Sequence, residues 1–221
     1  MIEFNLQKKI GTINIDVKLA CKKREALSIT GESGAGKTTL LRLAAGLEKP
    51  DSGFIRINGQ TLFCSREKIN TPPHKRKISY VFQDYTLFPH WSIEKNILYT
   101  ALDKDLGNYL IDHFNISHLR KRKPLKASGG ERQRAALAQA VARKPDLLLL
   151  DEPFSSLDSK NRKIASEYLY SVRDIISCPV VLVTHDHEEA LYIGDSFCEI
   201  EKGGIKGGSV ISKRSFSYAF S

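Results

Sequence analysis

Five short stretches of this chain carry groups that could act together on a phosphate chain. GESGAGKT, Gly31 to Thr38, places a glycine five residues before Gly-Lys-Thr. Gly31, Gly34 and Gly36 let the chain curl so that backbone N–H groups, including those of Glu32, Ser33 and Ala35, converge on phosphate oxygens. Lys37 supplies a cation for the β- and γ-phosphates, Thr38 a hydroxyl for Mg²⁺, and Thr39 carries the loop into a helix whose positive end adds to the cradle. Asp151 and Glu152 close the apolar run DLLLL. There Asp151 is suited to hold Mg²⁺ through water, and Glu152 to take a proton from an attacking water, a role worth about 10² to 10⁴ in rate. Gln83, after YVF, is a neutral side chain able to bridge Mg²⁺ and that water. His185, after VLVT, is of a kind more often structural than catalytic, but it ends a strand at the same sheet edge as Asp151. A second glycine turn, Ser128-Gly129-Gly130, precedes a helix expected to begin near Glu131, which gives it a serine N-cap and free N–H groups of its own.

These groups need a scaffold that brings strand ends together. EFNLQ and INIDVKL alternate as half-buried strands, ALSIT reads as a buried one, and ISYVF as another. FIRIN, closed by Asn58-Gly59, predicts an antiparallel hairpin. Helical patterns run over about 37–46, 93–101, 103–114, 131–143, 159–176 and 187–193. The apolar runs DLLLLDE and PVVLVTHD lie between helices and end in polar residues, which is the grammar of a parallel sheet covered on both faces. No repeat or low-complexity linker interrupts the chain, so 1–221 reads as one domain, and ISKRSFSYAFS is expected to follow the last strand and fray.

Composition narrows the partners. Lys and Arg total 34 against 25 for Asp and Glu, a net charge of +9, which favours anionic partners such as nucleotide, nucleic acid or a membrane surface. The basic run RKRKPLK, 120–126, reads as a solvated surface rather than a leaflet-binding patch. Cys21, Cys64, Cys178 and Cys198 match no zinc ladder or CxxC pattern and read as reduced structural thiols. No apolar run is long enough for a signal core or a membrane span. The absence of Asn-Lys-x-Asp in the sequence favours adenine over guanine.

In their order and spacing these motifs resemble the ATP-binding-cassette family over nearly the whole chain. GESGAGKT matches the Walker A loop, Gln83 the Q-loop, ASGGE at 127–131 the signature, LLLLDE the Walker B strand, SSLD at 155–158 the D-loop and His185 the switch histidine. The resemblance implies an α/β P-loop NTPase core with a mixed sheet, an antiparallel β arm and a helical signature subdomain at roughly 85–143. It implies ATP and Mg²⁺ as cofactors, with Thr38, Gln83 and Asp151 at the metal. It also implies a homodimer of cassettes, in which Ser128, Gly129, Gly130 and Asp158 of one chain close over the ATP held by the other. Three departures stand out. Ala127 replaces the usual leucine of the signature, Ile10 stands where an aromatic commonly stacks on adenine, and no C-terminal regulatory domain is expected.

PPHKRKISYVFQDYTLFPHWSIEKNI, 72–97, is similar to the bacterial importer cassettes for molybdate, sulfate, iron, polyamines and sugars, and most of all to those for molybdate, where Asp84 after Gln83 and LFPH both fit. The resemblance implies integral permease subunits as partners, contacted through Phe88, Pro89, His90 and Trp91, and indirectly a solute-binding protein. It places the chain on the cytoplasmic face of the membrane as a peripheral ATPase. A soluble ATPase of the same family acting on ribosomes or nucleic acid is the alternative; no duplicated cassette, coiled-coil insertion or nucleic-acid motif supports it, so no nucleic-acid partner is expected. LFPH also disfavours an exporter.

Overall fold

The computed structural model of the chain describes residues 1–83, 87–171, 173, 175–206 and 211–212. Its N-terminal part is an antiparallel arm: β1 (Ile2–Ile10), β2 (Ile13–Cys21), β4 (Ser52–Ile57), β5 (Gln60–Cys64) and β6 (Ile69–Asn70). The parallel part comprises β3 (Ala26–Thr30), β7 (Ile78–Val81), β8 (Leu147–Asp151), β9 (Val180–Val183) and β10 (Ser196–Glu201). Two short strands, β11 (Gly204–Ile205) and β12 (Ile211–Ser212), complete a single mixed sheet ordered β6-β5-β4-β1-β2-β11-β10-β3-β9-β8-β7, with β12 also on β10. The helices are α1 (Lys37–Ala45), α2 (Ile93–Thr100), α3 (Lys104–His113), α4 (Gly129–Ala142), α5 (Ser159–Ser171) and α6 (His187–Ile193). The expected mixed sheet and antiparallel arm are both present.

The run Leu147–Leu150 shows why the parallel strands read as unbroken apolar letters. Leu148 and Leu150 enter a core built with α2, α3, α4 and α5, whereas Leu147 and Leu149 enter the core shared by α1 and the β arm. Side chains alternate along a strand, so a strand covered on both faces must be apolar at every position. The Asn58-Gly59 hairpin also forms as its letters require, with φ of 50° and 81° at the two turn residues. Arg76, 2% exposed, donates to the carbonyls of Leu43, Ala44 and Thr71 and so caps the C-terminal end of α1.

Four expectations are corrected. The helix of the second glycine turn starts at Gly129, not near Glu131, because Ser128 takes the N-cap and closes a capping box with Glu131. The helix expected over 159–176 is α-helical over Ser159–Ser171, with Arg173 in 3₁₀ geometry, and does not reach the stiff Ile176 ahead of Pro179. Ile211 does not follow the last strand: Ile211–Ser212 pairs antiparallel with β10. Of the basic run, Arg120 is tied into ion pairs with Glu94 and Asp112, so only its later members form a solvated surface. Residues 84–86, where the helical portion was expected to begin and which include Asp84, and residues 213–221 lie outside the described ones. The four cysteines are free and buried, and burial pushes the thiols of Cys21, Cys178 and Cys198 up to about 12, as inert structural thiols require.

Candidate functional site

The glycine-rich loop leaves β3 and enters α1 in a conformation that its sequence permits and its neighbours enforce. Gly31, Gly34 and Gly36 have φ of 145°, 82° and 102°, values that side-chain-bearing residues rarely adopt. A Cβ at Gly31 would lie 2.2 Å from the carbonyl oxygen of Ile200 on β10. The next hairpin grips the loop from the other side, with the Gly203 N–H donating to the Ala35 carbonyl at 3.1 Å. Lys37 is 5% exposed, and its ammonium donates to the carbonyls of Gly31 (2.7 Å) and Glu32 (2.9 Å). The lysine charge is thereby held at the rim of the loop, while the first N–H groups of α1 stay open at its mouth.

The C-terminal end of β8 meets this loop two strands away across β9. Asp151 is buried and accepts from the Thr38 hydroxyl at 2.9 Å through Oδ1 and from the Tyr80 hydroxyl at 2.8 Å through Oδ2. Glu152 has φ of +45°, an unusual backbone conformation for a non-glycine residue. Its N–H donates to the Val183 carbonyl, and its Oε2 lies 3.1 Å from Nδ1 of His185 at the end of β9. Glu152, Gln83, Lys37, Thr38 and Thr39 line one cleft of about 500 Å³ together with Ser33, Gly34 and Gly36. The sequence-selected groups of the loop, the β8 end and the Gln83 turn therefore converge, with His185 behind Glu152.

An oxygen-only donor set of one hydroxyl and one buried carboxylate fits Mg²⁺, which commonly takes one or two carboxylates and completes its shell with water and phosphate. Among the described residues no cluster of three or more His, Cys, Asp or Glu side chains could hold a metal by itself. Such a site needs the nucleotide to finish it.

The second glycine turn lies elsewhere. None of the described residues lining the 500 Å³ cleft comes from 127–131 or 155–158. Ser128 Oγ accepts from the Glu131 N–H at 3.3 Å, and the Glu131 carboxylate accepts from the Ser128 N–H at 2.8 Å. That N–H and the His118 ring hold the Glu131 carboxyl down to about 2. Gly130 is close-packed on Asn161, while Asp158 caps α5 by accepting from the Asn161 N–H at 2.9 Å. Ser128 to Gly130 and the exposed Asp158 thus share one surface. Gln83 is the link between the two regions, since it also lines a second cavity with Gly129 and Ser156. Ala127, in place of a leucine, is buried in the helical core.

Ile10, noted as standing where an aromatic commonly stacks on adenine, forms an apolar wall on the same cleft with Ile13 and Ile15, a surface suited to the face of a base. Those two and Tyr80 were not singled out from sequence as site residues. Tyr80 reaches the buried carboxylate only because β7 pairs with β8 in a register that sets it opposite Leu149. The β10 hairpin had a readable signal, alternating SFCEIE followed by Lys202-Gly203, both at positive φ.

The segment behind His185 stores a titratable group. Glu189 is 6% exposed, accepts from the Thr184 hydroxyl at 3.0 Å, and follows Asp186, which caps α6 and pairs with Arg162. Burial pushes the Glu189 carboxyl up to about 7, with the Thr184 hydrogen bond and Arg162 opposing and Asp186 and Glu152 adding to the rise. The folded protein therefore holds this proton more tightly than the unfolded chain does. Stability on this account falls as pH rises from about 4.5 toward 7, and the full cost is present above that. Glu189→Gln keeps an acceptor for Thr184 without the charge. It is expected to be more stable than the parent at about pH 8 by up to about 3 kcal/mol, with the difference closing toward about pH 5. Urea unfolding at both pH values reads this, and a pH-independent difference would refute it.

A separate groove of about 300 Å³ opens between β7, α2 and α4, lined among others by Leu47, Tyr80, Phe82, Phe88, Thr100 and Arg143. At its mouth Phe88, 46% exposed, packs on Trp91 with ring centroids 4.6 Å apart, and Trp91 packs on Tyr99. Pro89 and His90 are exposed. This aromatic turn is held from beneath by buried Asn96, whose amide accepts from the Phe88 N–H and donates to the carbonyls of Phe88 and Ser92.

Comparison with known proteins adds to this geometry. A family model described as ABC transporter matches residues 15–155. The chain is 41% identical over 206 residues to the molybdenum import ATP-binding protein ModC of Vibrio parahaemolyticus, covering 92% of this chain and 56% of that protein. It is 38% identical over 215 residues to the protein of the same name from Haemophilus influenzae, covering 96% and 61%. The chain thus spans somewhat over half the length of these relatives. A solved dimeric structure of an ATP-binding cassette in a post-hydrolysis state, bound to ADP and Pi, superposes with a TM-score of 0.77 at 27% identity, covering 96% of this chain and 98% of that one.

Proposed function

The chain belongs to the ABC transporter family, and from that premise we propose that it is the ATP-hydrolysing subunit of a membrane importer whose solute is molybdate or a related oxyanion. The observation that carries hydrolysis is the convergence of Lys37, Thr38, Glu152 and Gln83 on one cleft, with buried Asp151 on the Thr38 hydroxyl and His185 on the Glu152 carboxylate. ATP lies with its base against Ile10, Ile13 and Ile15 and its phosphates over the loop amides, where Lys37 exchanges its bonds to the Gly31 and Glu32 carbonyls for phosphate oxygens. Thr38 and Asp151, with Gln83, would hold Mg²⁺, which would supply positive charge against the phosphates. Glu152 takes a proton from the water whose oxygen attacks the γ-phosphorus as the bond to the β-phosphate oxygen breaks. His185 orients that carboxylate, and ADP leaves.

Ser128, Gly129, Gly130 and Asp158 are left without a nucleotide in their own chain. We assign them to the ATP of a second, identical chain packed head to tail, an arrangement supported by their shared surface and by the dimeric cassette to which the chain is similar. We read 1–221 as one domain that includes a helical portion from about 85 to 143. The groove beside Phe88 and Trp91 receives the integral permease subunits, which are served in turn by a solute-binding protein. Attachment through this groove would make the chain a peripheral subunit on the cytoplasmic face of the membrane. Molybdate is supported by the names of the relatives at 38–41% identity.

Affinity purification from native membranes in mild detergent tests this reading. A polytopic partner whose presence makes ATP turnover rise with molybdate and its binding protein is the expected result. Stimulation by another solute would keep transport and overturn molybdate; recovery only with ribosomes or nucleic acid would overturn transport.

A further inference from the structure

We infer that Tyr80 is a positioning residue that fixes the metal-holding carboxylate of Asp151 and ties it to the aromatic groove. Both oxygens of Asp151 are engaged, Oδ1 by the Thr38 hydroxyl at 2.9 Å and Oδ2 by the Tyr80 hydroxyl at 2.8 Å. Two donors on opposite oxygens set the plane of a carboxylate, so the oxygen facing Thr38 is presented in one orientation. Thr38 contributes from the phosphate loop, on the nucleotide side, whereas Tyr80 contributes from edge strand β7. The Tyr80 ring stacks on that of Phe82 with centroids 4.0 Å apart and planes 22° apart, and both residues line the 300 Å³ groove. Phe82 is followed directly by Gln83, which lines the nucleotide cleft. One side chain therefore spans the whole interval between the groove and the metal carboxylate, with its phenol on Asp151 and its residue on the groove wall. An occupant that shifts the Tyr80-Phe82 stack draws the hydroxyl along Asp151, so docking and metal affinity are separated by a single hydrogen bond. This coupling rests on the reading of the groove as the permease surface; the positioning of Asp151 does not.

Tyr80→Phe keeps the ring and the stack and removes only the hydroxyl. Calorimetric titration of the full chain with ATP in EDTA, and again with Mg²⁺, separates the two contributions. Without metal the variant is expected to match the parent, because the phosphate loop is untouched. With Mg²⁺ the gain in ATP affinity is expected to be smaller than in the parent by about 10- to 100-fold, the loss of one hydrogen bond to a charged group. Equal gains in parent and variant, or an equal loss with and without Mg²⁺, would overturn the positioning role, since a merely structural change weakens both. A thermal melt establishes that the variant is folded. In the assembled transporter Tyr80→Phe is expected to lose most of the stimulation of ATP turnover by solute and binding protein. Intact stimulation alongside a reduced Mg²⁺ gain would overturn the tie to the groove and leave the positioning standing. A parent chain that recovers no polytopic partner would overturn the permease reading, with the calorimetric result unaffected.

Discussion

Glu152→Gln is expected to lower ATP turnover by about 10³-fold while leaving ATP affinity within about twofold of the parent, as removal of a general base should. The amide has the same shape as the carboxylate, so it can keep the +45° backbone conformation and still accept from His185. What it cannot do is take a proton from water. Because hydrolysis is then blocked after ATP has bound, the ATP-bound pair of chains should persist. Light scattering with ATP and Mg²⁺ is expected to show twice the monomer mass for the variant and a largely monomeric parent. Turnover retained in the variant would remove Glu152 from the mechanism, whereas lost turnover in a variant that stays monomeric would leave the base in place and refute the head-to-tail pair.

Lys37→Ala is expected to weaken ATP binding by about 100-fold, the loss of two charge-assisted hydrogen bonds at roughly 1.5 kcal/mol each, and to bring turnover to background. Lys37 is 5% exposed and its ammonium is already bonded to two loop carbonyls, so the substitution removes both the charge meant for phosphate and a clamp that shapes the loop. Calorimetry with ATP reads the first effect and a thermal melt the second. Unchanged ATP affinity in a folded variant would show that the loop does not hold the nucleotide.

The two predictions draw on different amounts of sequence information. GESGAGKT could be read directly because its chemistry is local. Glycines, lysine and threonine lie within eight residues, and the backbone curl they form needs little beyond the strand before and the helix after. The paired faces of Leu147–Leu150 were also readable, since a strand buried on both sides has no polar position to hide. Asn58-Gly59 announced its hairpin through the positive φ that both turn residues adopt.

Other parts depend on distant segments. Tyr80 looked like one more strand aromatic, and its role emerges only where β7 and β8 pair in register and bring its hydroxyl to Asp151, 71 positions away along the chain. The isoleucine wall is similar: Ile13 and Ile15 are ordinary letters of an alternating hairpin until the sheet places them with Ile10 beside the loop. The β10 hairpin, which leaves no room for a side chain at Gly31 and grips Ala35, lies some 170 residues beyond the loop it supports.

By itself, then, the sequence determined the phosphate-loop pattern and the two-sided sheet, and it carried the resemblance to the importer cassettes, because each is written in short runs of residues. The tertiary structure alone decided that Asp151 is held from both sides, that apolar residues of the β arm wall the cleft, and that the Ser128 turn is not among the described residues lining that cleft. Those facts follow from which strands become neighbours and in what register, and that is fixed by packing summed over the whole core rather than by any short run of residues.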